Sequence, residues 1–191
     1  MAVTWYRTFL IGQGDTRQLE VQLDGLLLLA GDAAPARKLQ TEIRANLEEP
    51  SGPSKLSDLS GWWYMTGDYA MAAELSHEAI ERRPGNIQIL LRLAWTQIEL
   101  RRFADTFQTL DSAPQESTSR PELIMAQAVA RWQAQQPDIA LRDLEAAASR
   151  QPEWENLPWV KALYSPLVAE SIQEMQAERE RRRKTTIAAR P

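Results

Sequence analysis

Leu56, Leu90 and Ile124 lie 34 residues apart, and the positions around them recur in the same register. Ser60, Ala94 and Ala128 form a second column, and Ala72, Thr106 and Ala140 a third. Ser76, Leu110 and Leu144 follow, then Ala79, Ala113 and Ala147, while Pro84 and Pro152 stand two periods apart. A fixed period of this kind marks a repeat architecture, in which each supersecondary unit buries its apolar face against its neighbours. Small residues at the eighth and twentieth positions let two helices of a hairpin approach closely. Alanine at the twenty-seventh places the second helix against the next hairpin. The proline near position 32 ends that helix, because it lacks an N–H and disfavours helix in the residue before it. The pattern predicts three helical hairpins, at 53–86, 87–120 and 121–154.

The flanks follow the pattern loosely. Upstream, Leu19, Leu23, Leu26, Leu27 and Ala30 sit at helical spacing. Asp15 and Thr16 are N-cap candidates. Gly31-Asp32 and a second helix from about Ala36 to Leu47 complete a degenerate hairpin over 16–52, which Glu49-Pro50-Ser51-Gly52-Pro53 closes. Before it, residues 1–15 carry Trp5, Tyr6, Phe9 and Leu10, expected to pack over the first hairpin or to dock on a partner. Downstream, Trp159 to Tyr164 reads as a short helix. Ser165-Pro166 then caps a last helix running to about Arg183. Residues 155–184 are expected to be capping helices and 185–191 a disordered tail. Divergent ends suit a repeat array, whose outer faces meet water.

Gly67-Asp68-Tyr69, followed by Ala72, Ala79 and Pro84, resembles the central stretch of a tetratricopeptide repeat (TPR). The second repeat keeps Leu90, Ala94, Phe103 and Ala113 but has Arg101-Arg102 where Gly-Asp is usual. Its second helix runs early into Pro114, with a polar loop to Arg120. The third keeps Ile124, Ala128, Ala140, Ala147 and Pro152. Its turn, Gln135-Gln136-Pro137-Asp138, reads as irregular, with Asp138 as the expected cap. The resemblance implies an all-α, right-handed α-solenoid of three clear repeats, a degenerate N-terminal hairpin and C-terminal capping helices.

The same resemblance implies where a partner would bind. In TPR arrays the first helices line a concave groove, through positions 2, 5, 9, 12 and 13 of each repeat. Here these are Tyr64 and Met65; then Gln88, Leu91, Trp95, Ile98 and Glu99; then Glu122, Met125, Val129, Trp132 and Gln133. Arg92 and Arg131 fall at the edge. This set is aromatic and apolar, without the Lys, Arg and Asn residues of TPR domains that clamp a C-terminal carboxylate. The implied role is a non-catalytic adaptor, scaffold or assembly subunit, taking an apolar helix or extended segment of another protein. The alternative is a dedicated chaperone or self-assembling TPR, forming homo-oligomers through its terminal helices. An accessory subunit of an enzyme complex ranks below both. Trp95 and Trp132 either line the groove or are buried between hairpins by its curvature. Trp63 is expected in the core, Trp62 against the preceding hairpin, and Trp154 and Trp159 as a seal on the last hairpin.

Composition narrows this further. Glycine is scarce, at 8 residues, and Ala, Leu, Glu, Gln and Arg abound, favouring helix. There is no cysteine, which excludes disulfides and thiolate chemistry. His77 is the single histidine and is expected on a solvated surface, so no metal site or histidine-dependent nucleophile is expected. Gly12-Gln13-Gly14 lacks the third glycine of a dinucleotide fingerprint, and no cofactor is expected. Net charge is −4, yet Arg179, Arg181, Arg182, Arg183, Lys184 and Arg190 crowd the end of the chain. The body is therefore acidic and repels nucleic acid, which only the tail could attract. The bland reading of those cations is a helix end that complements the backbone dipole. The other is contact by Arg181, Arg182 and Arg183 with an acidic partner, nucleic acid or anionic lipid. Neither a signal peptide nor a run long enough to span a membrane is visible, and the expected location is cytoplasmic.

Overall fold

The computed structural model describes residues 24–45 and 52–188. Trp5, Tyr6, Phe9, Leu19, Leu23, Leu47, Arg190 and the candidate caps Asp15 and Thr16 lie outside them. The chain divides into two compact units, up to Thr96 and from Gln97 onward.

The first unit begins with helical residues 24–29 (α1), followed by α2 (Ala34–Ala45), α3 (Gly52–Met65) and α4 (Tyr69–Arg82). It closes with most of α5 (Ile87–Glu99). Its core is built from Leu28, Ala36, Leu39, Ile43, Leu56, Leu59, Trp63, Ala72, Leu75, Ala79 and Ile89. The repeat columns meet physically in the α3–α4 hairpin. Ser60 Oγ donates to the Ala72 carbonyl at 2.8 Å and shares a 2.6 Å hydrogen bond with Ser76 Oγ. All three are buried, and the small side chains bring the two backbones together. Trp63 is core, and the half-buried Trp62 ring lies where a Cβ on Gly25 of α1 would be, as expected for packing on the preceding hairpin.

The second unit holds the end of α5, α6 (Phe103–Asp111), α7 (Pro121–Gln133), α8 (Pro137–Arg150), α9 (Leu157–Leu163) and α10 (Pro166–Ala188). α6 is short and stops before Pro114, so Ala113 lies beyond the helix, half-buried. In the α7–α8 hairpin Ala128, Ala140, Leu144 and Ala147 are fully buried. Trp154 is fully buried too, edge-on to Trp159 at 5.3 Å and 5.0 Å from the Tyr164 ring. This aromatic cluster seals the last hairpin. Ser165 caps α10 by accepting from the Val168 amide at 3.2 Å. α10 continues past the expected end near Arg183, through Thr185 and Thr186 to Ala188, so the first residues of the expected disordered tail are helical.

All three repeats turn between their helices in the same way. Gly67, Arg101 and Gln135 have φ of 83°, 56° and 60°. In each turn that residue's amide donates to the carbonyl three residues back, and the next amide to the carbonyl five back. The pairs are Gly67–Tyr64 and Asp68–Trp63, Arg101–Ile98 and Arg102–Gln97, Gln135–Trp132 and Gln136–Arg131, at 2.9–3.1 Å. This is the Schellman cap of a helix end. The turn expected to be irregular at 135–138 is therefore regular, with glutamine holding a left-handed position. Asp138 is not its cap: Gln136 stands at the N-cap without a side-chain bond, Pro137 opens α8, and Asp138 sits in its first turn. Only the first repeat has a side-chain cap here, Asp68 accepting from the Met71 amide at 3.1 Å.

Candidate interaction surfaces

In the first unit, α3 presents Tyr64 and Met65 at its C-terminal end. Met65 is 64% exposed, the most exposed large apolar side chain among the described residues. Tyr64, its neighbour in the chain, is half-buried and stacks edge-on with Tyr69 at 5.3 Å. On α5, Trp95 is half-buried and Gln88 exposed, whereas Leu91 is 7% exposed. Leu91 is therefore a packing residue, not a groove residue. Arg92 was expected at the groove edge and is instead half-buried, its Nη1 1.8 Å from where a Cβ on Gly61 would sit. A side chain at 61 would displace it. Burial lowers the Arg92 pKa, and the nearby Asp58 charge opposes that shift. Its Nε makes no hydrogen bond among the described residues.

In the second unit the expected groove residues meet the chain's own terminal helices. Trp132 Nε1 donates to Glu174 of α10 at 2.8 Å, and Gln133 Nε2 to Ser171 at 2.8 Å. Ser165 Oγ donates to Glu99. Glu122 is close enough to Tyr164 to help raise its pKa; burial is the larger cause, and together they push it to about 12. Ile98, Met125 and Val129 are fully buried. These three are core residues, a correction to the expected groove. The cause is in α7 itself: Leu123, Met125, Ala126, Ala128, Val129 and Ala130 are all buried, so the helix is enclosed nearly all round. α10 supplies part of that cover with Val168, Ala169, Ile172 and Met175, all buried, and packs on both α7 and α8. Sequence spacing could not find this docking, because it predicts which face is apolar but not what covers it. Arg131 pairs with Asp143 of α8 and lies 6.0 Å from the centre of the Phe107 ring.

The cations from Arg179 to Lys184 are engaged within the chain. Arg179 makes a two-pronged pair with Glu155, at 2.7 Å for both bonds. Arg182 reaches Asp138 at 2.6 Å and Glu178 at 2.7 Å, and Arg183 reaches Glu145 at 3.1 Å. Arg181 pairs with Glu178 at 2.9 Å on its own helix. The hydrogen bond from Arg179 holds the Glu155 carboxyl below the usual carboxylate range. His77 is exposed, 3.3 Å from Glu81. Among the described residues no cluster of three or more His, Cys, Asp or Glu could hold a metal ion, and no helix is long and apolar enough to cross a membrane.

A family model described as a tetratricopeptide repeat matches residues 64–130. Among solved structures, the MamA RS-1 ArsTM double mutant resembles the chain with a TM-score of 0.58 at 16% identity, covering 87% of this chain and 97% of that one. A second, MamA MSR-1 C2, gives 0.49 at 14% identity, covering 86% and 99%. The first likeness is one of fold. No curated protein matches. The fold class is thus the all-α helical-hairpin class that the 34-residue register predicts.

Proposed function

We propose that this chain, whose residues 64–130 match a tetratricopeptide-repeat model, is a non-catalytic adaptor or scaffold that holds an apolar helix or extended segment of another protein. The observation that carries the reading is the tip of the first clear hairpin, where Met65 stands 64% exposed beside the Tyr64–Tyr69 ring pair. Methionine adapts its shape to varied apolar partners, and tyrosine contributes large contact area at little entropic cost. Trp95 is the third residue assigned to this role in the first unit. In the second unit Trp132 is engaged by Glu174, so there the chain's own last helix stands where a partner was expected. The assignment of contact residues therefore rests on Tyr64, Met65 and Trp95.

The test is affinity purification of the full chain from its native source, with mass spectrometry of whatever co-purifies, beside a Met65→Glu variant. A charge in the middle of an apolar contact must be desolvated without a partner. Loss of the co-purifying protein from the variant supports the reading, and undiminished capture by a folded variant contradicts it. Light scattering over a range of concentrations separates a foreign partner from a second copy of the chain, which is the self-assembling alternative.

A further inference from the structure

Within the second unit, the cleft between α8 and α10 gathers four guanidinium groups. Arg142 comes from α8 and Arg179, Arg182 and Arg183 from α10, around a space of about 500 Å³. Two carboxylates line the same space, Asp138 and Glu145, so the lining carries two more positive than negative side chains. The four cations are not equally committed. Arg179 is held by both prongs to Glu155 with only 18% of its side chain exposed. Arg182 is shared between Asp138 and Glu178. Arg183 and Glu145 are both more than half exposed, at 56% and 64%. Arg142 is exposed and makes no ion pair or hydrogen bond among the described residues.

We propose that this cleft docks a short acidic segment of a partner polypeptide, with carboxylates pairing to Arg142 and Arg183. Exposed ion pairs are worth only about 0–1 kcal/mol, so Arg183 exchanges Glu145 for an incoming carboxylate at little cost. Guanidinium is the cation suited to this, because its planar fork meets a carboxylate with two parallel hydrogen bonds. The groups already paired with Arg182 and Arg183 in the cleft are carboxylates, the partners that an incoming acidic segment would match. Leu141 adds an apolar wall that a peptide backbone can cover. A nucleic acid strand fits less well, because none of the residues lining the cleft is aromatic and its bases would find no ring to stack on.

The test uses the full chain and fluorescent hexaglutamate, read by anisotropy, with hexaglutamine and a six-nucleotide single-stranded DNA as controls. Hexaglutamate is expected to bind, hexaglutamine not, and the DNA more weakly than hexaglutamate. The Arg142→Glu/Arg183→Glu variant is expected to lose about tenfold in affinity. Binding is expected to weaken further as salt rises from about 0.05 to about 0.3 M. Should charge reversal loosen α10, seen as a lower melting temperature, Arg142→Gln alone carries the test, with an expected loss of about threefold. Absent hexaglutamate binding, equal binding by the variants, equal binding of hexaglutamine or tighter binding of the DNA each overturns the proposal. Because Met65 is untouched, this outcome is independent of the one that tests the hydrophobic contact.

Discussion

The Trp132 indole N–H donates to the Glu174 carboxylate at 2.8 Å, and through that bond a residue expected to face a partner faces the chain's own last helix. Gln133 to Ser171 repeats the contact one residue on. The same helix buries Val168, Ile172 and Met175, so its docking interleaves apolar and polar contacts along one stretch. Trp132→Ala is expected to cost about 2 kcal/mol in urea unfolding, less than a fully buried tryptophan because the ring is half-buried. It is also expected to hasten proteolysis within α10. Unchanged stability and unchanged cleavage would mean that Trp132 does not hold the helix.

Arg101 and Gln135 occupy left-handed backbone positions that glycine fills in the first repeat. A side chain there carries a steric penalty that glycine avoids. Arg101→Gly and Gln135→Gly are therefore each expected to stabilise by about 0.5 kcal/mol, net of the greater freedom glycine gives the unfolded chain. Arg101 also gives up an exposed 3.3 Å bond to Gln133, which trims its gain. The reverse change, Gly67→Ala, is expected to destabilise by about 1 kcal/mol. Chemical denaturation of the three variants reads this directly, and a stabilised Gly67→Ala chain would refute the turn assignment.

Two helical glycines separate by what a methyl group would strike. At Gly25 a Cβ falls 2.1 Å from a Trp62 ring carbon, and at Gly61 it falls 1.8 Å from Arg92 Nη1. The ring is bulky and wedged, while the guanidinium is the end of a flexible side chain. Gly25→Ala is expected to cost about 1–3 kcal/mol through overpacking. Gly61→Ala is expected to cost less, since alanine's helix propensity returns about 1 kcal/mol and Arg92 can swing aside. Equal losses at the two sites would contradict this reading of the packing.

Tyr164 gives the alkaline limb of stability. Its pKa is raised from 10.0 to about 12, by burial first and by Glu122 second. The unfolded chain therefore loses this proton before the folded chain does. The stabilisation is complete below pH 10.0 and drains away as pH rises toward about 12. Tyr164→Phe is expected to flatten that decline, measured as melting temperature against pH from 9 upward. A variant that tracks the parent across that range would place the alkaline loss elsewhere.

The hairpins were legible because their columns are contacts. Ser60, Ala72 and Ser76 recur in register since they touch across the hairpin, and their small size is what the packing requires. The conformation of the turns was legible only where glycine marked it. Arg101 and Gln135 hold the same conformation through backbone bonds that leave no sequence signal. The groove was least legible. Position numbers identified the face of α7 that carries Met125, Val129 and Trp132, but not that a helix starting some thirty residues further along the chain covers it. The basic end of the chain read as a helix end complementing the backbone dipole or as a contact for an acidic partner, whereas Arg179 and Arg182 are tied to Glu155 and Asp138, partners that only the fold brings near.

In the proposed function this chain holds another protein through the exposed apolar tip of its first clear hairpin. The most direct measurement is comparative affinity purification of the parent and Met65→Glu chains, with circular dichroism establishing that both are folded. Met65 is 64% exposed, so the substitution leaves the core untouched. A co-purifying protein is expected with the parent and its loss, by about tenfold or more, with the variant. A folded variant that retains every partner of the parent contradicts it.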